Sequence, residues 1–259
     1  MDLTGTRALV TGGGGGLGRH ISLALAGAGA DVAVTWLARE GGAARVCADV
    51  RALGRRAMAL RLDVTDAAAI EAVVAEVAAA WGGLDILVNN AGRGRPVLPG
   101  ESKPREVAYG DIAALTPELY DLLMAINTRG PFLLARAAAP FLRASGRGRI
   151  VTIGSTIGFA PRESGLAFAM AKAGAVPLTR YLAAVLAPEV LVNCVAPGLI
   201  EGTGLTGGAS EAYIEDWRGK AVLGRTTRAE DVAAQVLAFC QGESATGQTV
   251  VVDAGIAFH

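Results

Sequence analysis

The chain has 259 residues, slightly more than half of them apolar, and its 24 basic and 24 acidic side chains cancel. That composition supports a large buried core and argues against disordered, collagenous and disulfide-rich classes. With no net charge and no concentrated basic footprint, neither nucleic acid nor an anionic membrane is expected as a partner, and no apolar run is long enough to span a bilayer.

Short apolar runs alternate with longer alanine-rich segments along the whole chain, which predicts an α/β fold: a parallel sheet with helices packed on both faces. Strands are expected at 7–11, 31–36, 56–62, 84–89, 149–154, 190–196 and 248–253, seven in all. Helical periodicity covers 17–29, 66–81, 117–142, 166–187 and 229–240, with Asp66 as an N-cap and with Pro131, Pro140 and Pro177 marking kinks or breaks. No linker or repeat divides the chain, so 1–259 reads as one domain. Two stretches break the rhythm, 93–115 and 200–220; both follow strand C-terminal ends, where open parallel sheets bind ligands, and are expected to be pocket loops.

Between the first strand and the first helix lies TGGGGGLG, residues 11–18. Glycines there permit tight turns and let the backbone approach a pyrophosphate, while helix-terminal N–H groups point at the anion. The second strand runs out through Thr35-Trp36-Leu37-Ala38-Arg39 with no carboxylate to bind a ribose 2′-hydroxyl, and Arg39 suits a 2′-phosphate. Arg55 and Arg56 read as solvated charges. Cys47, Cys194 and Cys240 are odd in number, widely spaced and lack a C-x-x-C pair, so they are expected to be buried thiols in a reducing, cytoplasmic setting. His20 and His259 are the only histidines, which leaves no expectation of a His-based triad or a metal centre. The beginning of the chain shows no basic n-region followed by an apolar stretch.

Together with Asp63-Val64, Asn89-Asn90-Ala91-Gly92, Asn127-Thr128-Arg129-Gly130, Ser155, Lys172, Ala196-Pro197-Gly198 and Thr246-Gly247-Gln248, the glycine run resembles the short-chain dehydrogenase/reductase family. The resemblance covers nearly the whole chain. It implies a Rossmann-type doubly wound fold and an NAD(P)(H)-dependent oxidoreductase acting on a small or medium carbonyl or hydroxyl compound, with NADP(H) favoured over NAD(H) because of Arg39. Cofactor contacts carried over are Gly12, Gly14, Gly15, Gly16, Leu17, Gly18, Trp36, Arg39, Asp63, Val64, Asn90, Ala91, Gly92, Lys172, Pro197, Gly198 and Ile200. Thr203 stands one place later than the family's usual threonine. Family members usually associate through the helices that carry Asn127 and Lys172, so a homotetramer or homodimer is expected.

The resemblance also supplies a catalytic set of Ser155, Lys172 and Asn127, but its tyrosine position is Phe168, in FAMAK. Residues four apart share a helical face, so a tyrosine at 168 would set its phenol beside the Lys172 ammonium, which lowers the phenol pKa into a useful range. Phenylalanine keeps the ring and loses the proton, and loss of a general acid typically costs roughly 10²- to 10⁴-fold. Three readings account for Phe168: an engineered replacement that traps a substrate complex; a natural enzyme whose substrate, such as an iminium ion, needs no phenol or is protonated by water, Lys172 or itself; or a redox-silent cyclising, isomerising or binding protein. Substrate contacts are expected from Ser155, Phe168, Arg93, Ile157, Glu163 and Glu201, with Arg95 and the loop tyrosines Tyr109 and Tyr213 also able to reach the pocket.

Overall fold

In the computed structural model, residues 1–98, 100–102, 112–159 and 165–258 are described. The seven expected strands form: β1 (Arg7–Val10), β2 (Asp31–Trp36), β3 (Ala57–Arg61), β4 (Ile86–Asn89), β5 (Gly148–Ile153), β6 (Val190–Pro197) and β7 (Thr249–Val252). They pair in parallel throughout, in the order β3-β2-β1-β4-β5-β6-β7. The chain winds outward from β1 to β3 and then returns to β4 on the other side of β1. That reversal opens a crevice at the C-terminal ends of β1 and β4, the place where doubly wound sheets bind nucleotides.

Nine α-helices occur among the described residues: α1 (Gly16–Gly27), α2 (Glu40–Ala52), α3 (Ala67–Trp81), α4 (Pro117–Met124), α5 (Gly130–Ala144), α6 (Leu166–Ala173), α7 (Ala175–Leu186), α8 (Glu211–Lys220) and α9 (Ala229–Gln241). Successive strand residues feed opposite faces. Val32, Val34, Ile86 and Val88 pack with Ile21, Leu25, Val46, Val50, Val232 and Val236 of α1, α2 and α9. Ala33 and Leu87 pack with Ile70, Val74, Leu134, Ala138, Leu182 and Leu186 of α3, α5 and α7. Asp66 caps α3 as expected, its Oδ1 accepting Ala68 N–H at 2.9 Å and Ala69 N–H at 3.1 Å.

Several expectations change. The helix read over 117–142 runs through a π-helical turn, Ala125–Arg129, and Pro131 follows directly after it as the second residue of α5. The helix read over 166–187 divides at Gly174, which packs tightly on the π turn: a Cβ there would lie 3.0 Å from Thr128 Cγ2. Half of the loop expected over 200–220 is helix α8, and α2 appears where no helix was expected. Arg56 is exposed, as expected, and also makes contacts the sequence did not suggest: its Nε pairs with Asp31 Oδ2 at 2.8 Å and its guanidinium lies 5.2 Å from the Trp81 ring. The three cysteines are buried free thiols. No described helix is long and apolar enough to cross a membrane, and no metal-ligand cluster occurs among the described residues.

Candidate dinucleotide and carbonyl site

The glycine turn is held to the end of β4 by hydrogen bonds rather than by bulk. Thr11 Oγ1 accepts Asn90 and Ala91 N–H at 3.0 Å each, and Asn90 Nδ2 donates to Thr11 O at 2.8 Å and Gly12 O at 3.2 Å. Gly12 N–H in turn donates to Thr35 Oγ1 at 3.2 Å. Thr11 and Thr35 are fully buried, and their roles depend on partners that sequence spacing does not reveal. Gly18 is required by contact: a Cβ there would stand 2.3 Å from Gly12 O. Gly14 packs on the start of α2, where an added Cβ would lie 2.9 Å from Ala43 N. Gly15 heads α1 with no side-chain cap, which leaves first-turn N–H groups to an anionic ligand.

Beside this turn a cleft of about 280 Å³ is lined by Gly12, Trp36, Asp63, Val64, Ala91 and Gly92 of the expected set, joined by Thr35, Leu37, Leu62, Thr65, Pro96, Val97, Leu122 and Ile126. A mostly apolar slot next to an uncapped helix end fits the adenosine half of a dinucleotide. Arg39 stands exposed at the start of α2, three residues beyond Trp36. Arg93, expected to meet substrate, lines this cleft instead.

At the other end, Pro197 closes β6, Gly198 N–H donates to Val252 O at 3.0 Å, and Ile200 is buried. A Cβ on Gly198 would press on Asp253 and Thr227, which leaves this segment no room to shift. Leu17 is partly buried against the core beneath the turn, and Thr203 packs over Gly16, where a Cβ would lie 3.4 Å from Thr203 Cβ.

Two of the catalytic candidates, Asn127 and Lys172, meet at Gly92. The π turn carries Asn127, whose Nδ2 donates to Arg93 O at 2.9 Å and Leu123 O at 3.0 Å while its Oδ1 accepts Arg93 N–H at 3.2 Å. Lys172, on α6, donates from Nζ to Ile153 O at 2.9 Å. A Cβ on Gly92 would meet both, at 2.9 Å from Asn127 Oδ1 and 3.3 Å from Lys172 Nζ, so the glycine ending Asn-Asn-Ala-Gly makes room for the pair. Burial pushes the Lys172 ammonium down to about 8, with the nearby Cys194 thiol acting weakly in the other direction. Ser155 follows β5 and its Oγ accepts Ile157 N–H at 3.3 Å, capping the turn Thr156–Gly158.

Phe168 sits one helical turn before Lys172, with its ring centroid 5.9 Å from Nζ. The ring is only 7 % exposed, in an apolar cluster with Leu98, Leu119, Leu123 and Ala167 against which Ile157 packs. Gly94 lies over it, since a Cβ there would be 3.6 Å from three ring carbons. Glu201 points to Arg218 and Thr226, not to this cluster. Glu163 and Tyr109 lie outside the described residues.

A doubly wound sheet with this turn, this cleft and a Ser-Lys-Asn set defines a dinucleotide-dependent oxidoreductase class. Residues 13–257 match the family described as Enoyl-(Acyl carrier protein) reductase. The 3-oxoacyl-acyl-carrier-protein reductase FabG of Escherichia coli K12 is 35 % identical over 259 positions, covering 99 % of each chain. Cyclohexanol dehydrogenase of Rhodococcus sp. TK6 is 33 % identical over 278 positions, covering 100 % of this chain and 98 % of that one. A short chain dehydrogenase of Burkholderia cenocepacia J2315, solved with NADP, superposes with a TM-score of 0.85 at 35 % identity, covering 99 % of both chains. The chain belongs to the short-chain dehydrogenase/reductase family and is an NAD(P)-dependent oxidoreductase.

Proposed function

We propose that the protein is an NADP(H)-preferring reductase of a small or medium carbonyl compound, with proton delivery weakened by Phe168. The observation that carries this reading is the convergence of Asn127 and Lys172 on Gly92, with the ring of residue 168 one turn away. The bound nicotinamide would supply hydride to a carbonyl carbon. In this arrangement the Ser155 hydroxyl holds the carbonyl oxygen, Lys172 presents positive charge beside the site, and Asn127 fixes the backbone at Arg93. The glycine turn and the Trp36 side of the cleft hold the dinucleotide, with Arg39 placed for a 2′-phosphate. The FabG and cyclohexanol dehydrogenase relatives, and the NADP-bound neighbour, support this chemistry.

A second reading is favoured by the apolar shell around Phe168: a substrate that arrives already protonated, such as an iminium ion, needs no phenol, and the cluster suits a bare ring. One experiment separates them. NADPH and NADH are titrated calorimetrically, then ketones and cyclic imines are screened with the native protein and Phe168→Tyr. The reductase reading expects tighter NADPH binding and a gain of about 10²-fold or more in ketone reduction from the added phenol. Fast imine reduction by the native protein with no gain from tyrosine selects the second reading. Absence of dinucleotide binding defeats both.

We propose further that the chain associates into a homotetramer or homodimer.

A further inference from the structure

The segment after β6 is fastened to its neighbours by side-chain contacts of Glu201. Both carboxylate oxygens of Glu201 accept from Arg218 Nη2 at 3.0 Å, and Oε1 also accepts the Thr226 hydroxyl at 2.6 Å. Arg218 lies on α8, and its Nη1 donates within that helix to Glu211 at 3.0 Å and Glu215 at 3.1 Å. One side chain therefore joins three pieces of chain: the turn after β6, α8, and the stretch leading into α9. The turn is also folded on itself, because Ile200 O accepts the Thr206 hydroxyl at 2.7 Å and the Thr203 hydroxyl at 3.2 Å. Thr203 is the residue that packs over Gly16, the first residue of α1 and part of the phosphate-binding turn.

We propose that Glu201 is a positioning residue: through Arg218 and Thr226 it holds segment 200–220 down over the glycine turn and thereby sets how fast the dinucleotide leaves. The proposal rests on the dinucleotide reading of that turn. A single half-exposed ion pair adds little to global stability. Three acceptor contacts on one carboxylate, two of them to a guanidinium, instead fix an orientation. The next residue, Gly202, has φ +69°, a left-handed conformation open to glycine, so the chain can bend where the pin ends. The Thr226 hydroxyl, and then Arg218, hold the Glu201 carboxyl below the usual carboxylate range, which keeps the pin charged at neutral pH.

The test needs no turnover. Bound NADPH is displaced by excess NADP⁺ in a stopped-flow fluorimeter, using the full-length native protein, Glu201→Gln and Glu201→Ala. Release from Glu201→Ala is expected to be about fivefold faster or more, with association changed by less than about twofold, because lid contacts act mainly on dissociation. Glu201→Gln, which keeps an acceptor for Thr226, falls between. Raising salt from about 50 to about 500 mM speeds release from both proteins by screening contacts to the anionic dinucleotide, but by a larger factor from the native protein, which also loses the Glu201–Arg218 pair. Thermal unfolding verifies that each variant is folded. If Glu201→Ala does not fold, Arg218→Lys, which keeps the charge and loses the fork, is read the same way. Unchanged release from a folded variant that binds NADPH overturns the proposal alone, whereas no binding by the native protein overturns the dinucleotide reading beneath it.

Discussion

At position 172 burial and charge are in conflict. The ammonium is almost wholly enclosed, and Ile153 O is its hydrogen-bond acceptor at 2.9 Å. Burial lowers its pKa from 10.5 to about 8 in the fold. The unfolded chain therefore binds more protons than the folded one between those values. Stability rises with pH across that window, and the full cost of the buried charge is present below it. Lys172→Met should remove this rise. Urea unfolding of the dinucleotide-free protein at pH 7.5 and at pH about 9.5 measures it. The buried thiols of Cys194 and Cys240, raised by desolvation, act in the opposite direction above pH 9, so the difference between the two proteins is the quantity to read. A methionine variant whose stability climbs as steeply as that of the native protein would show that Lys172 is not charged at a cost. Phe168 presents the complementary case: its ring has no ionisable proton and is packed by apolar neighbours.

Among the elements, the glycine turn shows that neighbouring glycines can have unequal reasons. A Cβ at Gly18 meets backbone at 2.3 Å and the Asn90 amide at 2.7 Å, with nothing flexible to give way, whereas a Cβ at Gly15 meets nothing within 4 Å. Gly15 also has extended backbone that any residue adopts. Gly18→Ala is expected to cost about 1 to 3 kcal/mol of stability by overpacking and to abolish dinucleotide binding. Gly15→Ala should stay within about 0.5 kcal/mol of the native protein. Denaturant titration of both checks the contrast, and equal losses would contradict it. The same local logic explains what the sequence could and could not reveal. Strands β1, β2, β4, β5 and β6 were readable because a strand buried on both faces is a continuous apolar run, whereas the edge strands β3 and β7 are only partly buried. Helix α2 was not: it opens Glu40-Gly41-Gly42, and Gly42 serves a close approach, since a Cβ there would stand 2.5 Å from Gly14 O. Helix α8 buries only Trp217, so it presents no apolar stripe. The π turn adds no residue type of its own, and the continuous periodicity across 117–142 conceals it. Ser155, Lys172 and Asn127 were readable as a motif. The Thr35 and Arg218 contacts join segments distant in sequence, and no spacing rule reports them.

Across the whole molecule, eight of the thirteen large apolar side chains exposed among the described residues lie on two parts of the fold, while Leu37, Leu53, Ile112, Leu205 and Tyr213 are scattered elsewhere. On α6, Leu166 and Met170 are exposed and four residues apart, and on α7 Tyr181 and Val185 repeat that spacing, so each pair shares a helical face. Phe132 of α5 is exposed as well. These are the helices at and beside Lys172 and Asn127, and their alanines permit close approach of a second helix. The other region lies by β7, the open edge of the sheet, where Val222, Leu223 and Phe258 are exposed. An edge strand flanked by apolar side chains is a template for pairing with another chain. One self-complementary face closes a dimer, while two on different sides of a protomer build a tetramer of dihedral symmetry. Light scattering at micromolar concentration is therefore expected to give about four times the 26.3 kDa protomer mass. Met170→Glu with Tyr181→Glu should leave a dimer joined at the β7 edge, and Val222→Glu with Phe258→Glu a dimer joined through the helices. Each pair places charge in an interface that would have to desolvate it. NADPH binding by the variants verifies that they are folded. A native protein that scatters as a monomer would show that neither region is an interface, and a tetramer unaffected by both pairs would place its interfaces elsewhere on the surface.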